Sequence, residues 1–175
     1  MKFIILNGPS CSGKSTIVQS VMEKREGLYH LARDKQKWFF SKYDRHIHHV
    51  AVRNIVIAIA EAVCSMKYDI ICDSPVYPEH RDKLLEIPQR HGYEIIEINL
   101  EADYKILLER FKRRVAEAEA GSKKRISNRS EERFNELVKM YEDNRNLKAK
   151  VIRTDEESIE DITDDIIKCK NCKRC

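Results

Sequence analysis

Hydrophobic positions along the chain fall into two alternating patterns. A continuous apolar run occupies Phe3–Asn7, and shorter or less regular strand candidates occupy Leu28–Leu31, Asp69–Cys72, Tyr93–Leu100 and Lys150–Arg153. Runs of this length and character are typical of strands that are buried on both faces of a parallel sheet. The pattern therefore predicts five strands.

The segments between these runs have apolar residues at helical spacing, as Ile106, Leu107, Phe111 and Val115 illustrate. The predicted helices are Ser15–Glu26, Lys35–Ser41, His46–Met66, Pro78–Arg90, Asp103–Ala120, Glu131–Leu147 and Ser158–Lys168. Strands that alternate with helices indicate an α/β fold, a three-layer α/β/α sandwich around a five-stranded parallel sheet. Ligands of such folds lie at the carboxyl ends of the strands.

Composition sets the class of protein and its expected surroundings. The 175 residues are 42% hydrophobic and 35% charged, with a net charge of +4, which fits one soluble globular domain. Four apolar residues after Met1-Lys2 are too few for a secretory signal, and no uninterrupted apolar run approaches the ~18 residues of a membrane span. We expect a cytoplasmic protein without a membrane partner, whose six cysteines are reduced thiols.

A complete G-x-x-x-x-G-K-[ST] motif follows the first predicted strand and precedes the first predicted helix. In a phosphate-binding loop of this kind, backbone N–H groups and the positive end of the helix face phosphate oxygens. We predict that Lys14 contacts the β- and γ-phosphates and that the Ser15 hydroxyl is a ligand of Mg²⁺. The predicted nucleotide-binding residues are Gly8, Pro9, Ser10, Cys11, Ser12, Gly13, Lys14, Ser15 and Thr16.

Two aspartates are placed at the ends of predicted strands. Asp34 follows the second strand, where a carboxylate can orient an attacking hydroxyl and accept its proton. The alternative role of Asp34 is that of a helix N-cap. Asp73 ends the third strand and is predicted to lie near Mg²⁺, although aspartate is also a common turn residue at such a position.

A basic segment covers residues 110–133. Arg110 and Arg114 lie one turn apart on the same face of the fifth predicted helix, and arginines stabilise the charge that develops during phosphoryl transfer. We predict that this segment is a lid over the nucleotide. An ordinary solvated face is the alternative, since Glu109, Glu117 and Glu119 are interspersed. Further basic residues of the segment are Lys123, Lys124, Arg125, Arg129 and Arg133.

Histidines and cysteines suggest two weaker candidates for metal binding. His46, His48 and His49 lack a neighbouring Cys or Asp pattern, so satisfied or exposed histidines are the simpler interpretation. The C-terminal residues 169–175 contain Cys169, Cys172 and Cys175, which are three thiols without a clear fourth ligand. The sequence favours an exposed basic tail there and leaves a zinc site as the alternative.

Four pieces of the chain, in order, resemble the small P-loop kinases related to the kinase domain of phage polynucleotide kinase. They are Ile4–Asn7 with the phosphate-binding loop, Arg33-Asp34-Lys35, Ile70–Ser74 with Pro78–Arg81 and Gly92–Glu94, and Arg110–Arg114. The resemblance implies a P-loop NTPase fold of the nucleoside-monophosphate-kinase type with a helical lid. It also implies Asp34 as general base, Asp73 in the neighbourhood of acceptor and metal, and Arg110 and Arg114 as lid arginines.

Together these features predict an ATP- and Mg²⁺-dependent kinase in a single domain over residues 1–168, followed by the cysteine-containing tail. The predicted catalytic residues are Lys14, Asp34, Arg110 and Arg114. The predicted metal ligands are Ser15 and Asp73. A small metabolite, nucleoside or antibiotic is the favoured hydroxyl acceptor. A 5′-hydroxyl polynucleotide and an NTPase switch without acceptor are the alternatives. Nucleic acid is compatible but not required, and both a monomer and a homodimer remain open.

Overall fold

A computed structural model describes residues 1–73, 78–121 and 129–168, with the backbone alone at 78–80. Its centre is one sheet of five parallel strands in the order β2-β3-β1-β4-β5. The strands are β1 (Lys2–Asn7), β2 (Leu28–Leu31), β3 (Asp69–Cys72), β4 (Glu94–Glu101) and β5 (Lys150–Arg153). The chain crosses over between parallel neighbours through helices, as the alternating pattern predicts.

The helices connect these strands. They are α1 (Lys14–Lys24), α2 (Arg33–Gln36), α3 (Arg45–Ser65), α4 (Pro78–Arg90), α5 (Tyr104–Glu119), α6 (Glu131–Asn144) and α7 (Ile159–Lys168), with a short 3₁₀ turn at Lys37–Phe39. Strand bounds agree with the sequence prediction at β2, β3 and β5, and the long helices agree to within a few residues.

Apolar side chains cover both faces of the sheet, and this makes the fold a three-layer sandwich. One face packs under α3 and α4, where Phe3, Ile5 and Ile70 meet Val56 and Ala60. The other face packs under α1 and α7. Its buried members are Ile4, Leu6, Ile17, Val18, Val21, Leu28, Ile71, Ile96, Ile98, Leu100, Ile152, Ile162 and Ile166. A third cluster joins α5 to α6.

The predicted helix over residues 35–41 is wrong in extent. The chain forms one turn of α-helix at Arg33–Gln36 and then the 3₁₀ turn. Phe40 contacts the rings of Tyr43 and His48, which favours a turn over a continued helix. Asp34 lies inside α2, whose N-cap is Ala32, so the N-cap alternative for Asp34 is also wrong.

Helix α3 is the one helix of the described residues that is long and apolar enough to span a membrane by length and composition. That test is weak evidence, because core helices of soluble proteins also pass it. In this fold Val52, Val56, Ala60 and Val63 of α3 are buried in the domain.

Candidate active site

The loop between β1 and α1 has a backbone that only glycine permits at two positions. A Cβ at Gly8 would lie 2.4 Å from the carbonyl oxygen of Leu100 on the neighbouring strand. Gly13 caps α1 with φ of +90°, in the left-handed region. The loop therefore turns tightly out of the sheet, and the first N–H groups of a helix, which lack carbonyl partners within it, are suited to bind an anion.

Lys14 lies across this loop. Its Nζ donates hydrogen bonds to the carbonyl oxygens of Gly8 at 2.8 Å and Pro9 at 2.7 Å, and to Ser12 Oγ at 3.3 Å. Burial lowers the pKa of Lys14 to about 8, against the opposing effect of nearby negative groups, among them Asp73 and Asp34. A partly buried cation beside the loop backbone is suited to the charge of a polyphosphate.

Asp73 is held between two elements at the end of β3. The Ser15 hydroxyl donates to Asp73 Oδ2 at 3.4 Å, and His30 Nε2 lies 3.0 Å from Asp73 Oδ1. Burial alone would raise the pKa of Asp73, but the hydrogen bond and charge of His30 and the charge of Lys14 outweigh burial and lower it. Asp73 is thus an ionised carboxylate beside the loop.

Ser15 and Asp73 offer the oxygen ligands that Mg²⁺ prefers. A hydroxyl and an ionised carboxylate lie close together on two adjoining elements, and phosphate oxygens and water complete the usual shell of this ion. This donor set fits the predicted metal.

Sequence reasoning missed His30. It lies on β2, one residue before the strand ends, and β2 pairs with β3 so that His30 is opposite Ile71. Lys35 Nζ lies 3.5 Å from His30 Nδ1, on the other side of the imidazole ring from the contact between Nε2 and Asp73. A histidine near the carboxyl end of a predicted strand was the available signal.

Asp34 lies in α2, which directly follows β2, and its side chain is exposed to solvent. Its Oδ1 accepts a hydrogen bond from Lys37 Nζ at 3.1 Å. The Asp34 carboxylate is close enough to raise the pKa of Lys14. The fold therefore brings the predicted general base to the edge of the sheet where the phosphate-binding loop lies.

The two predicted lid arginines have different surroundings. Arg110 donates to the hydroxyl and carbonyl oxygens of Thr154, at 3.0 and 2.8 Å, and approaches the Cys11 carbonyl oxygen at 3.5 Å. Arg110 thus joins α5 to the loop after β5. Arg114 is exposed, and its charge lowers the pKa of Lys14. The Arg114 guanidinium is thus close enough to influence Lys14, whereas Arg110 is hydrogen-bonded to Thr154.

Several predicted residues have other surroundings or are not described. Six residues that the sequence singled out lie outside the described residues. They are Lys123, Lys124, Arg125, Cys169, Cys172 and Cys175. His48 Nδ1 lies against the backbone of Asp44, and His49 Nδ1 against the carbonyl of Arg45. Across residues 1–73, 78–121 and 129–168, no cluster of three or more His, Cys, Asp or Glu side chains could hold a metal ion.

Comparison with known families gives one match that covers most of the chain. The family model described as an AAA domain matches residues 3–143. No curated protein matches the chain in sequence.

Solved structures share the fold at low sequence identity. A protein from Chloroflexus aurantiacus j-10-fl described as a candidate kinase has a TM-score of 0.71 at 15% identity, over 97% of this chain and 98% of that one. The APS kinase CysC of Mycobacterium tuberculosis, in complex with AMPPNP and APS, has a TM-score of 0.62 at 19% identity over 95% of each chain. A chain of the Pnkp1/Rnl/Hen1 RNA repair complex has a TM-score of 0.63 at 16% identity, over 81% of this chain and 44% of that one.

Proposed function

Because the chain belongs to the AAA domain family and has the fold of the small P-loop kinases, we propose that it transfers the γ-phosphoryl group of ATP to a hydroxyl acceptor. The observation that carries the proposal is the electrostatic grouping around Lys14. Charged residues from three different parts of the sequence influence the pKa of Lys14, namely Asp34, Asp73 and Arg114. A nucleotide switch needs the loop and the metal ligands but has no use for Asp34 at this place.

The proposed reaction divides its tasks among these residues. The acceptor oxygen attacks the γ-phosphorus while the bond from that phosphorus to the bridging β,γ-oxygen breaks, and ADP leaves. Asp34 orients the hydroxyl and takes its proton. Lys14 and the loop N–H groups bind the β- and γ-phosphates, and Arg114 faces the charge on the equatorial oxygens. Positioning and electrostatics dominate the rate, since the transition state is loose.

Ser15 and Asp73 would hold Mg²⁺. When bound, Mg²⁺ would supply positive charge that neutralises the polyphosphate. The contribution of the chain is to keep the Asp73 carboxylate ionised and oriented through Ser15 and His30.

The proposal extends to the larger organisation of the chain. Residues 1–168 form a single kinase domain, residues of about 110–133 close over ATP, and residues 169–175 are an added tail. Closure of a basic segment would exclude water and limit hydrolysis. Arg110 would leave Thr154 for the nucleotide on closure. We expect the protein in the cytoplasm, as a monomer or a homodimer.

The favoured acceptor is a small metabolite, a nucleoside or an antibiotic. A 5′-hydroxyl polynucleotide is the second candidate, supported by the two basic segments at 33–53 and 110–133 and by the similarity to a chain of an RNA repair complex. A nucleotide-binding switch is the third candidate.

The test compares Asp34→Asn with Asp143→Asn. Asp143 is an exposed aspartate on α6. Like Asp34, it lies near a lysine, with Lys139 Nζ 3.9 Å from Asp143 Oδ2. We expect Asp34→Asn to lower kcat by about 10²- to 10⁴-fold with ATP affinity nearly unchanged, because a general base contributes by about that much. Asp143→Asn should leave both quantities at the wild-type value.

Near-normal kcat in Asp34→Asn would contradict the assignment of the base. Equal loss of kcat in both variants would indicate a general effect of charge rather than a role for Asp34.

A further inference from the structure

A group of aromatic rings follows Asp34 directly along the chain. We call it the ring surface and define it by Trp38, Phe39, Phe40, Tyr43 and His48. Phe40 lies 5.0 Å from the ring centre of His48 and 6.4 Å from that of Tyr43, and those two rings are 5.8 Å apart. Phe39 is 83% exposed and Trp38 is 44% exposed. Exposed aromatic side chains offer flat faces on which the ring of a ligand can stack.

The same segment is strongly basic. Residues 33–53 contain six lysines and arginines against two aspartates, a net +4 that equals the net charge of the whole chain. The basic residues are Arg33, Lys35, Lys37, Lys42, Arg45 and Arg53. Exposed rings interleaved with positive charge are typical of surfaces that bind bases and phosphates. An interface with a second, equally basic copy of this chain would bring like charges together.

Lys37 connects the ring surface to the proposed general base. Its Nζ lies 3.1 Å from Asp34 Oδ1 and 5.1 Å from the centre of the Trp38 ring. The two distances place the centre of the Trp38 ring within about 8 Å of Asp34 Oδ1, so one small molecule can contact both the ring and the carboxylate. The Lys37 side chain is only 14% exposed, so the bridge between carboxylate and ring is held in place.

We propose that the hydroxyl acceptor is a nucleotide-type molecule with a flat base, a sugar hydroxyl and at least one phosphate. The base stacks on Trp38 and Phe39, the phosphate faces the basic residues of 33–53, and the sugar hydroxyl reaches Asp34. This inference rests on the proposed function. Its chemistry is shared by two sources, a free nucleotide and the 5′-hydroxyl end of a single-stranded oligonucleotide.

Trp38 is the only tryptophan of the chain, so its fluorescence reports on this surface alone. The protein is first saturated with AMPPNP and Mg²⁺ and is then titrated with uridine 3′-monophosphate or with a short 5′-hydroxyl oligothymidylate. Gluconate and glycerol 3-phosphate, which have charge and hydroxyls but no flat ring, are the control ligands. We expect saturable quenching by the two nucleotide ligands and none by the controls.

Two variants sharpen the measurement. Phe39→Ala should weaken nucleotide binding by about 5- to 100-fold, the usual contribution of one stacked aromatic side chain. Tyr68→Ala is the control, because Tyr68 is 50% exposed, similar to Trp38, and lies in the connection between α3 and β3. This variant should leave the affinity for the nucleotide ligands unchanged. A steep loss of affinity with added salt for the oligonucleotide alone would identify a polynucleotide as the source.

The outcomes separate this inference from the proposed function. Transfer of phosphate to a ringless acceptor, with no response of Trp38 to nucleotides, would overturn the inference and leave the kinase in place. Nucleotide quenching without any phosphoryl transfer would support the ring surface and contradict the kinase. Trp38 emission that depends only on protein concentration would mean that a second copy covers the surface, which also overturns the inference.

Discussion

The charge of Lys14 depends strongly on its surroundings in the free protein. It is enclosed by the phosphate-binding loop, and burial lowers its pKa to about 8. Phosphate oxygens would favour the ammonium form, so the pKa in the nucleotide complex must be higher than in the free protein. Nucleotide binding and protonation of Lys14 are therefore linked.

The linkage predicts that ATP binding takes up protons above the free pKa. At a pH between the Lys14 pKa of the free protein and that of the ATP complex, the complex binds more protons than the free protein. The affinity for ATP therefore falls as the pH rises past about 8. Calorimetric titration in two buffers of different ionisation enthalpy should give close to one proton taken up at about pH 9 and much less near pH 7. Lys14→Arg, which stays charged, should show none of this uptake, and equal uptake by both proteins would contradict the account.

His30 is predicted to be a positioning residue for Asp73. His30 Nε2 contacts Asp73 Oδ1, whereas Asp73 Oδ2 accepts the hydrogen bond of Ser15. His30→Leu should raise the Mg²⁺ concentration needed for tight AMPPNP binding by about 10- to 100-fold, as is usual when a carboxylate ligand loses its outer partner. His30→Gln keeps a donor and should recover part of the loss.

His91→Leu is the matched control, because His91 Nε2 contacts Glu61 Oε1 at 2.7 Å in a similar pair remote from the loop. Its Mg²⁺ requirement should equal that of the wild type. If the His30 and His91 variants behave alike, His30 has no role toward the metal.

At the scale of elements, α5 and α6 are joined by a small core next to the phosphate-binding loop. Phe134 is fully buried and stacks on Phe111 with ring centres 4.7 Å apart, and Cys11 of the loop packs against the same cluster. Since the predicted lid begins within α5 and ends within α6, the packing of these helices connects the lid to the loop.

Phe134→Ala should lower the free energy of unfolding by about 3–5 kcal/mol, through the lost burial and the cavity that remains. Leu147→Ala removes a side chain that is 81% exposed. This variant should change the free energy of unfolding by less than about 0.5 kcal/mol. Urea denaturation measures both. Similar losses in the two variants would mean that the α5–α6 cluster does not stabilise the fold.

Local sequence signals predicted elements well where they were strong. The runs at Leu28–Leu31 and Asp69–Cys72 became strands with those bounds, because such apolar runs have few alternatives to a buried strand. Residues 35–41 were mispredicted, because the ring contacts of Phe40 that end the helix join it to residues later in the chain. Helical propensity does not register such contacts.

At the scale of the whole molecule, the strand order explains why the candidate site is assembled at one edge. With β1 between β3 and β4, and β2 beside β3, the segments after β1, β2 and β3 leave the sheet on the same side. Sequence alternation predicted the parallel sheet but not this order, which depends on pairing between distant strands. For the same reason it predicted Asp73 and Ser15 singly but missed His30, whose role exists only once β2 lies beside β3.

The most direct test of the central claim is the fate of the γ-phosphate. The protein is incubated with γ-labelled ATP, Mg²⁺ and a pool of nucleotides, nucleosides, sugars and a 5′-hydroxyl oligonucleotide, and the labelled products are separated. We predict label in an organic phosphate ester, lost in Lys14→Ala and strongly reduced in Asp34→Asn. Label that appears only as inorganic phosphate, equally in wild type and Asp34→Asn, would contradict a kinase and indicate a nucleotide-hydrolysing switch.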